Sequence, residues 1–307
     1  MGAAQMADET DFRILGTISG EPFASYENIG RKVGLTGTAV KARIDALKRS
    51  GVLDDFYGLP ASSLFRRHAR IYRFPVGALD PERLREVIRL DPVVFAGMHH
   101  DNVFGVLAYI ERPDDPPPPD LVKVLGQPTM TVTPLIPAPV DPTYVPSAVE
   151  FKVLRSLIAT PRATPAELSR NTGLSQRTIR RSREHLIETG VLQVSPYLQA
   201  ARSRGLVFFM AFVYFAKSAQ VRTLQSVFPG SIRMGSLVNP SGEVRFCRAG
   251  SLAEVIEQHE AARKSAGIAD ARIILHLLTA FHVTRLQKWV DQALDRQGRG
   301  RSRKREP

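Results

Sequence analysis

The chain repeats itself. Phe12-Arg13-Ile14-Leu15, Pro22, Ala24, Arg31, Gly34-Leu35, Leu47 and Gly51-Val52-Leu53 return 139 residues later as Phe151-Lys152-Val153-Leu154, Pro161, Ala163, Arg170, Gly173-Leu174, Leu186 and Gly190-Val191-Leu192. A match held without a gap over that distance sets the register of a duplicated unit, so both copies must reach one local fold. In the first copy Phe12, Leu15 and Ile18 fall at i, i+3, i+6, which predicts a helix from Glu9 to Ser19 that Pro22 ends. A second helix starts near Ser25, buries Ile29 and Val33, and stops at Gly34. Thr36 then caps a third, on which Val40, Ile44 and Leu47 form the core stripe and Gly37, Thr38, Lys41 and Ala42 point away.

The second copy carries a stronger start signal, the capping box Thr164-Pro165-Ala166-Glu167, with Leu168 standing where Ile29 stands. After the turn and cap at Gly173-Leu174-Ser175, the outward residues are Gln176, Arg177, Arg180 and Arg181, side chains suited to base edges and phosphates. Helix, helix, tight turn, helix is how a small domain presents one helix to a DNA groove. One position departs from the repeat. Arg183 takes the place of Ile44, so either its guanidinium snorkels past the apolar face or the third helix packs differently here. Charge separates the copies as well: residues 8–60 hold seven Lys/Arg against eight Asp/Glu, residues 148–205 ten against four. The second copy is therefore expected to supply more of any DNA affinity.

The segment after each helical unit also repeats. The first unit leads into a strand at Ala69–Val76, a helix opened by Asp80-Pro81-Glu82, strands at Val93–Met98 and Val103–Ile110, a short helix at Asp120–Leu125 and a strand at Thr129–Ile136. After the second come a strand at Leu206–Phe215, a helix at Ala219–Phe228, strands at Ser231–Val238 and Glu243–Arg248, a helix capped by Ser251 and a strand at Ala271–Leu278. That order is the split βαβ, ferredoxin-like arrangement, with helices on one face of the sheet and the other face free to meet a partner sheet.

This build resembles the leucine-responsive regulator and AsnC family of transcription factors, most specifically over Gly34–Leu53 and Gly173–Leu192. The resemblance implies an α+β chain of two winged or three-helix helix-turn-helix units alternating with two ferredoxin-like domains. It sets the first helix-turn-helix domain at 8–60, the first effector domain at 66–138, a proline-rich linker at 139–147, the second helix-turn-helix domain at 148–200 and the second effector domain at 203–285. Family members usually pair through their effector sheets, so the duplicated form implies an internal pseudo-dimer, with further homo-oligomerisation open. The implied function is sequence-specific binding of double-stranded DNA in transcription control. Ser175, Gln176, Arg177, Thr178, Arg180 and Arg181 are the expected contacts, with Thr36, Thr38, Lys41 and Arg43 as weaker counterparts. The family's effector turn, a glycine followed by an aspartate, finds its nearest match in Gly97 and Asp101, with His99 and His100 between them. These residues either line a pocket for a small-molecule effector or form an ordinary hairpin turn.

Composition agrees. A net charge of +12 and a pI near 10.2 favour a polyanionic partner. The lone Cys247 excludes an internal disulfide and a cysteine-based zinc cluster, and suits a reducing cytoplasm. The most apolar run, Leu206–Ala216, is too short to span a bilayer, and the N-terminus does not read as a signal peptide. Residues 296–307, rich in arginine, are expected as a disordered basic tail, and the cluster Arg66-Arg67-His68-Arg70 as a further phosphate contact. The sequence shows no Ser-His-Asp arrangement or phosphate-binding loop, and neighbouring His99 and His100 should point to opposite sides of a strand, so no catalytic residue, metal or cofactor is expected. The enzymatic alternative also comes by resemblance. Siroheme decarboxylases share this build, and histidines and arginines of the effector domain would serve there as proton donors and carboxylate anchors.

Overall fold

The computed structural model describes residues 7–78, 80–135, 141, 143–199, 202–216 and 223–303. The first half runs α1 (Glu9–Gly20), α2 (Tyr26–Val33), α3 (Gly37–Arg49), β1 (Leu53–Pro60), β2 (His68–Pro75), α4 (Pro81–Arg89), β3 (Val93–His99), β4 (Val103–Ile110), α5 (Pro119–Leu125) and β5 (Met130–Leu135). The second runs α6 (Ala148–Ala159), α7 (Pro165–Thr172), α8 (Gln176–Glu188), β6 (Leu192–Leu198), β7 (Val207–Phe215), α9 (Thr223–Val227), β8 (Ile232–Asn239), β9 (Ser241–Ala249), α10 (Leu252–Lys264), β10 (Ile268–Ile274), β11 (His276–Phe281) and α11 (Val283–Arg303). The caps fall where the sequence places them. Thr36 and Ser175 accept from the amides of Ala39 and Thr178, and Gly34 and Gly173 leave their helices at φ +80° and +72°, which a side chain would oppose. Gly37, expected to face outward, lies against Glu27 of α2 instead.

Two strands invisible to the periodicity join the halves. β1 runs antiparallel to β6, from Leu53 opposite Leu198 to Pro60 opposite Leu192. Each lies against the other half's first helix, β1 on α6 and β6 on α1. The approach is close: a Cβ on Gly58 would stand 2.7 Å from the Leu157 carbonyl oxygen. In consequence the two helix-turn-helix units share one core, in which Phe12, Leu15, Ile29, Val40 and Ile44 of the first pack with Phe151, Leu154, Leu168, Ile179 and Leu186 of the second.

The effector strands order as β10-β7-β9-β8-β5-β2-β4-β3-β11. Within it, β5-β2-β4-β3 and β10-β7-β9-β8 are the two expected ferredoxin-like sheets. The last strand of each half serves both. β5 pairs with β2 through Val132 and then with β8 from Thr133, while the expected single strand at Ala271–Leu278 breaks at Leu275, β10 pairing with β7 and β11 with β3. The two sheets therefore close on each other at both edges. Alternation along the strands, shifted on β3 by an irregularity between Val93 and Phe95, sends Tyr72, Phe74, Val93, Phe104 and Val106 outward to α4 and α5, and turns Ile71, Arg73, Phe95, His99 and Leu107 toward the space between the sheets.

The C-terminus differs from expectation. Residues 296–303 continue α11 rather than forming a disordered tail, and 304–307 lie outside the described residues. Leu286, Trp289, Val290 and Ala293 give this helix a buried stripe, and Arg155 of α6 pairs with Asp291 at 2.8 Å. Its Arg285 donates to the carbonyls of Leu90 at 2.8 Å and Arg89 at 2.7 Å, capping the C-terminal end of α4 in the other half. The expected linker is seen only at 141 and 143–147, and the helix expected at Ala219–Phe228 is seen as α9, since 217–222 also lie outside the described residues. Among the described residues no helix is long and apolar enough to cross a membrane.

Trp289 stacks on Tyr109 with ring centroids 5.9 Å apart and carries the Arg67 guanidinium 4.7 Å above its ring. Trp289→Ala is expected to lower unfolding stability by about 3 kcal/mol in urea denaturation, the cost of a large core truncation.

Candidate functional site

The exposed face of α8 holds Gln176, Arg177, Arg180 and Arg181. Among the described residues no carboxylate pairs with Arg177, Arg180 or Arg181, and Arg180 makes only a long contact, 3.4 Å, with Gln176. Ser175 caps the helix, and its hydroxyl lies 2.9 Å from that of Thr178, which is half-buried. Three guanidiniums without a carboxylate partner thus stand together on one exposed face of the capped helix.

The first unit is built differently. Thr36 and Thr38 are exposed at the head of α3, but Lys41 is paired with Asp45 at 2.6 Å. Arg43, expected among the DNA contacts, turns inward: its Nη1 donates to Asp8 at 2.9 Å and to the buried Asp11 at 3.0 Å. Lys32 is paired with Glu21, and Lys48 with Asp55 at 2.9 Å. The nearly balanced charge of this unit is thus spent on itself. The basic cluster after it is engaged too, since Arg67 donates to the Tyr109 carbonyl at 2.9 Å and Arg70 to that of Pro113 at 2.5 Å.

Arg183 resolves its conflict with the core stripe by reaching into the first half, where its guanidinium lies 4.7 Å over the Phe23 ring. Arg162, which the repeat sets opposite Phe23, reaches across in the same way. It stacks on Tyr26 and Phe56 and donates to the Pro22 carbonyl at 2.7 Å. These arginines of the second copy clasp the turn between α1 and α2 and help hold the two helical units together.

In the effector region the expected turn splits. His100 is exposed, and Asp101 receives a 2.6 Å hydrogen bond from Arg73 Nη2. His99 turns inward, 2 % exposed, and meets His276 from β11 with ring centroids 4.9 Å apart. This pairing is invisible in sequence, where the two histidines are far apart and belong to different halves. Gly97 and Gly105 form the floor beneath the rings: a Cβ on Gly105 would stand 2.7 Å from His99 Nε2, and one on Gly97 3.1 Å from His276 Nδ1. The rings line a cavity of about 150 Å³ between the sheets, with Arg73, Leu107, Met210, Phe212 and Met234. Burial holds both imidazoles below the usual 6.5, His276 down at about 4, with the charge of Arg73 adding to the effect on each and His100 and the neighbouring ring to that on His99.

A winged helix-turn-helix DNA-binding family model matches residues 8–54 and again residues 147–193. The HTH-type transcriptional regulator Rv2324 of Mycobacterium tuberculosis is 32% identical over 111 residues, which cover 34% of this chain and 75% of that protein. The chain belongs to the leucine-responsive regulator/AsnC family. It is a tandem member, carrying both the winged helix-turn-helix unit and the ferredoxin-like domain twice. Among solved structures, the siroheme decarboxylase NirDL in complex with an iron-uroporphyrin III analogue aligns over 94% of this chain and 100% of its own, at 13% identity and a TM-score of 0.44. An AsnC family transcriptional regulator from Agrobacterium tumefaciens aligns over 41% of this chain and 86% of its own, at 18% identity and a TM-score of 0.28.

The buried histidine pair has a measurable consequence for this tandem regulator-family chain. Between pH 6.5 and about 4 the unfolded chain takes up protons that the folded His276 and His99 refuse, so stability falls as pH falls through that window. The urea midpoint is expected to fall across it as the pH is lowered. His276→Phe should flatten the slope.

Proposed function

We propose that this chain is a sequence-specific, DNA-binding transcription regulator in which the second helix-turn-helix unit supplies most of the grip. The observation that carries this reading is the contrast between the two units: Arg177, Arg180 and Arg181 stand exposed and unpaired on α8, while Lys41 and Arg43 of α3 are engaged by Asp45, Asp8 and Asp11. Ser175, Gln176 and Thr178 complete the reading surface of the second unit, and Thr36, Thr38 and Lys41 offer a weaker one in the first. An exposed lysine pair is worth little and opens readily against a phosphate, so Lys41 keeps a role that Arg43, with a buried partner, has lost. Unequal heads in one chain call for an asymmetric operator, bound more tightly at one half-site. A small-molecule effector bound at the ferredoxin-like domains would bias that binding, and the chain acts as an internal pseudo-dimer in the cytoplasm.

A siroheme decarboxylase-like enzyme is the second reading. It is favoured by Arg73 beside His99 and His276, a guanidinium able to hold a carboxylate, and opposed by the burial that keeps the two imidazoles neutral and so poor proton donors. Release of carbon dioxide from siroheme by the purified protein would establish it.

The regulator reading is tested by selection from fragmented genomic DNA at two salt concentrations, with wild type beside the Arg177→Ala/Arg180→Ala/Arg181→Ala variant. Wild type should enrich a few fragments, and the variant should lose several kcal/mol, at about 1 to 3 per base-reading contact. Its salt slope should also fall by about 0.9 per phosphate contact removed. Equal binding by both proteins would overturn the assignment to α8, and a perfect palindrome with equal half-site energies would overturn the asymmetry.

A further inference from the structure

Buried polar atoms in folded proteins find partners, and the exceptions ask for a reason. Four stand together between the two effector sheets: Nη1 of Arg73, both ring nitrogens of His99 and Nδ1 of His276 have no hydrogen-bond partner among the described residues. Arg73 is 5 % exposed and His99 2 %, and all three residues line the cavity of about 150 Å³. Apart from Gln193 and the phenols of Tyr57 and Tyr214, the remainder of the wall is apolar, with Phe95, Leu107, Met210, Phe212 and Met234 among its members. The polar end is built into one half only. In the first half the cross-strand row is Gly97, Gly105 and Arg73, while the matching row of the second is Gly235, Val244 and Phe212. Where the second half places a valine and a phenylalanine, the first leaves room for an imidazole and points a guanidinium inward.

We propose that this cavity is a binding site for a small apolar monocarboxylate, its carboxylate held by Arg73 with His99 and His276 and its single ring or short branched chain seated among Phe95, Leu107, Met210 and Phe212. The sign of the charge follows from the guanidinium, whose free Nη1 offers a donor and whose charge repels a cation. The same groups discriminate against an α-amino acid. Asp101 is the carboxylate bonded to Arg73 at this end, so an ammonium brought into the cavity would lose its water without gaining a free counter-charge. Size follows from the volume, since a cavity of about 150 Å³ accepts a benzene-sized molecule. Neutral imidazoles add two N–H donors without adding charge, and Arg73, which gives Nη2 to Asp101, keeps Nη1 as a further donor for the ligand's carboxylate. Binding at this site stands independently of DNA; the ligand's role as an effector rests on the regulator reading above.

Isothermal titration of the full chain with phenylacetate and with phenylalanine, in the absence of DNA, tests the site directly. The expected result is saturable one-to-one binding of phenylacetate, at least tenfold tighter than phenylalanine, and weakened at least tenfold by Arg73→Met. Gly105→Ala, which pushes the His99 ring, should weaken phenylacetate binding as well. Because Arg73→Met could loosen the barrel, imidazole resonances of wild-type His99 and His276 are followed in parallel and should shift with phenylacetate only. The proposal is overturned if neither compound binds and the orphan atoms are served by water alone, if phenylalanine binds as tightly, if Arg73→Met binds phenylacetate like wild type, or if siroheme takes the site instead. Should phenylacetate bind but leave enrichment of DNA fragments unaltered, the site stands and its effector role fails. Should no DNA be enriched at all, the regulator reading fails alone.

Discussion

A four-stranded sheet has two edges, and an edge of unpaired amides and carbonyls invites whatever strand comes near. In this chain the threat is answered from within: the outer edges β3 and β8 are each covered by the last strand of the opposite half. Everything between the sheets depends on that exchange. It sets the two inner faces against each other, encloses the cavity and brings His276 to His99, and it carries the chain onward into α11, whose Arg285 and Trp289 reach back into the first half. The β1 and β6 ribbon does the same work for the helical units, so the halves cannot part without breaking backbone hydrogen bonds.

Duplication supplies two of every part, and the structure shows where the copies have stopped being interchangeable. Phe23 and Ile44 have become Arg162 and Arg183, which no longer fill the second unit's own core but grip the first unit's aromatic rings. Arg73 and Gly105 are matched by Phe212 and Val244. One half therefore keeps its free positive charge on the outside of a helix, and the other keeps its buried positive charge inside the barrel. Two identical subunits could not divide these tasks, because a change in one is a change in both.

The helical units were legible in the sequence because their signals are local: periodic apolar residues, caps at Thr36, Ser175 and Thr164, and glycines at 34 and 173 that end helices. The ferredoxin-like order was legible for the same reason, strand by strand. The features that escaped all depend on the other half. β1, with its acidic start at Asp54-Asp55 and its Gly58, has no alternating pattern, because α6 and β6 supply its partners from far along the chain. The arginines beyond position 296 masked the apolar stripe of α11, and net charge alone suggested disorder. Arg43 was expected as one of the weaker DNA contacts, yet two carboxylates at the head of α1 turn it in. His99 was noticed for its neighbour His100, while its actual companion is 177 residues away.

The covalent joining of the two halves changes how the molecule responds to dilution. A pair assembled from separate subunits is lost as its concentration falls, and its hold on a two-part site falls with it, since dissociation and unfolding are linked to the amount of protomer present. Here the second helix-turn-helix unit is always delivered with the first, at an effective concentration set by the ribbon and the shared core rather than by how much protein a cell contains. On the regulator reading proposed above, occupancy of a two-part site follows the first power of protein concentration and not the second, so the sharp switching of a reversible dimer gives way to a graded response.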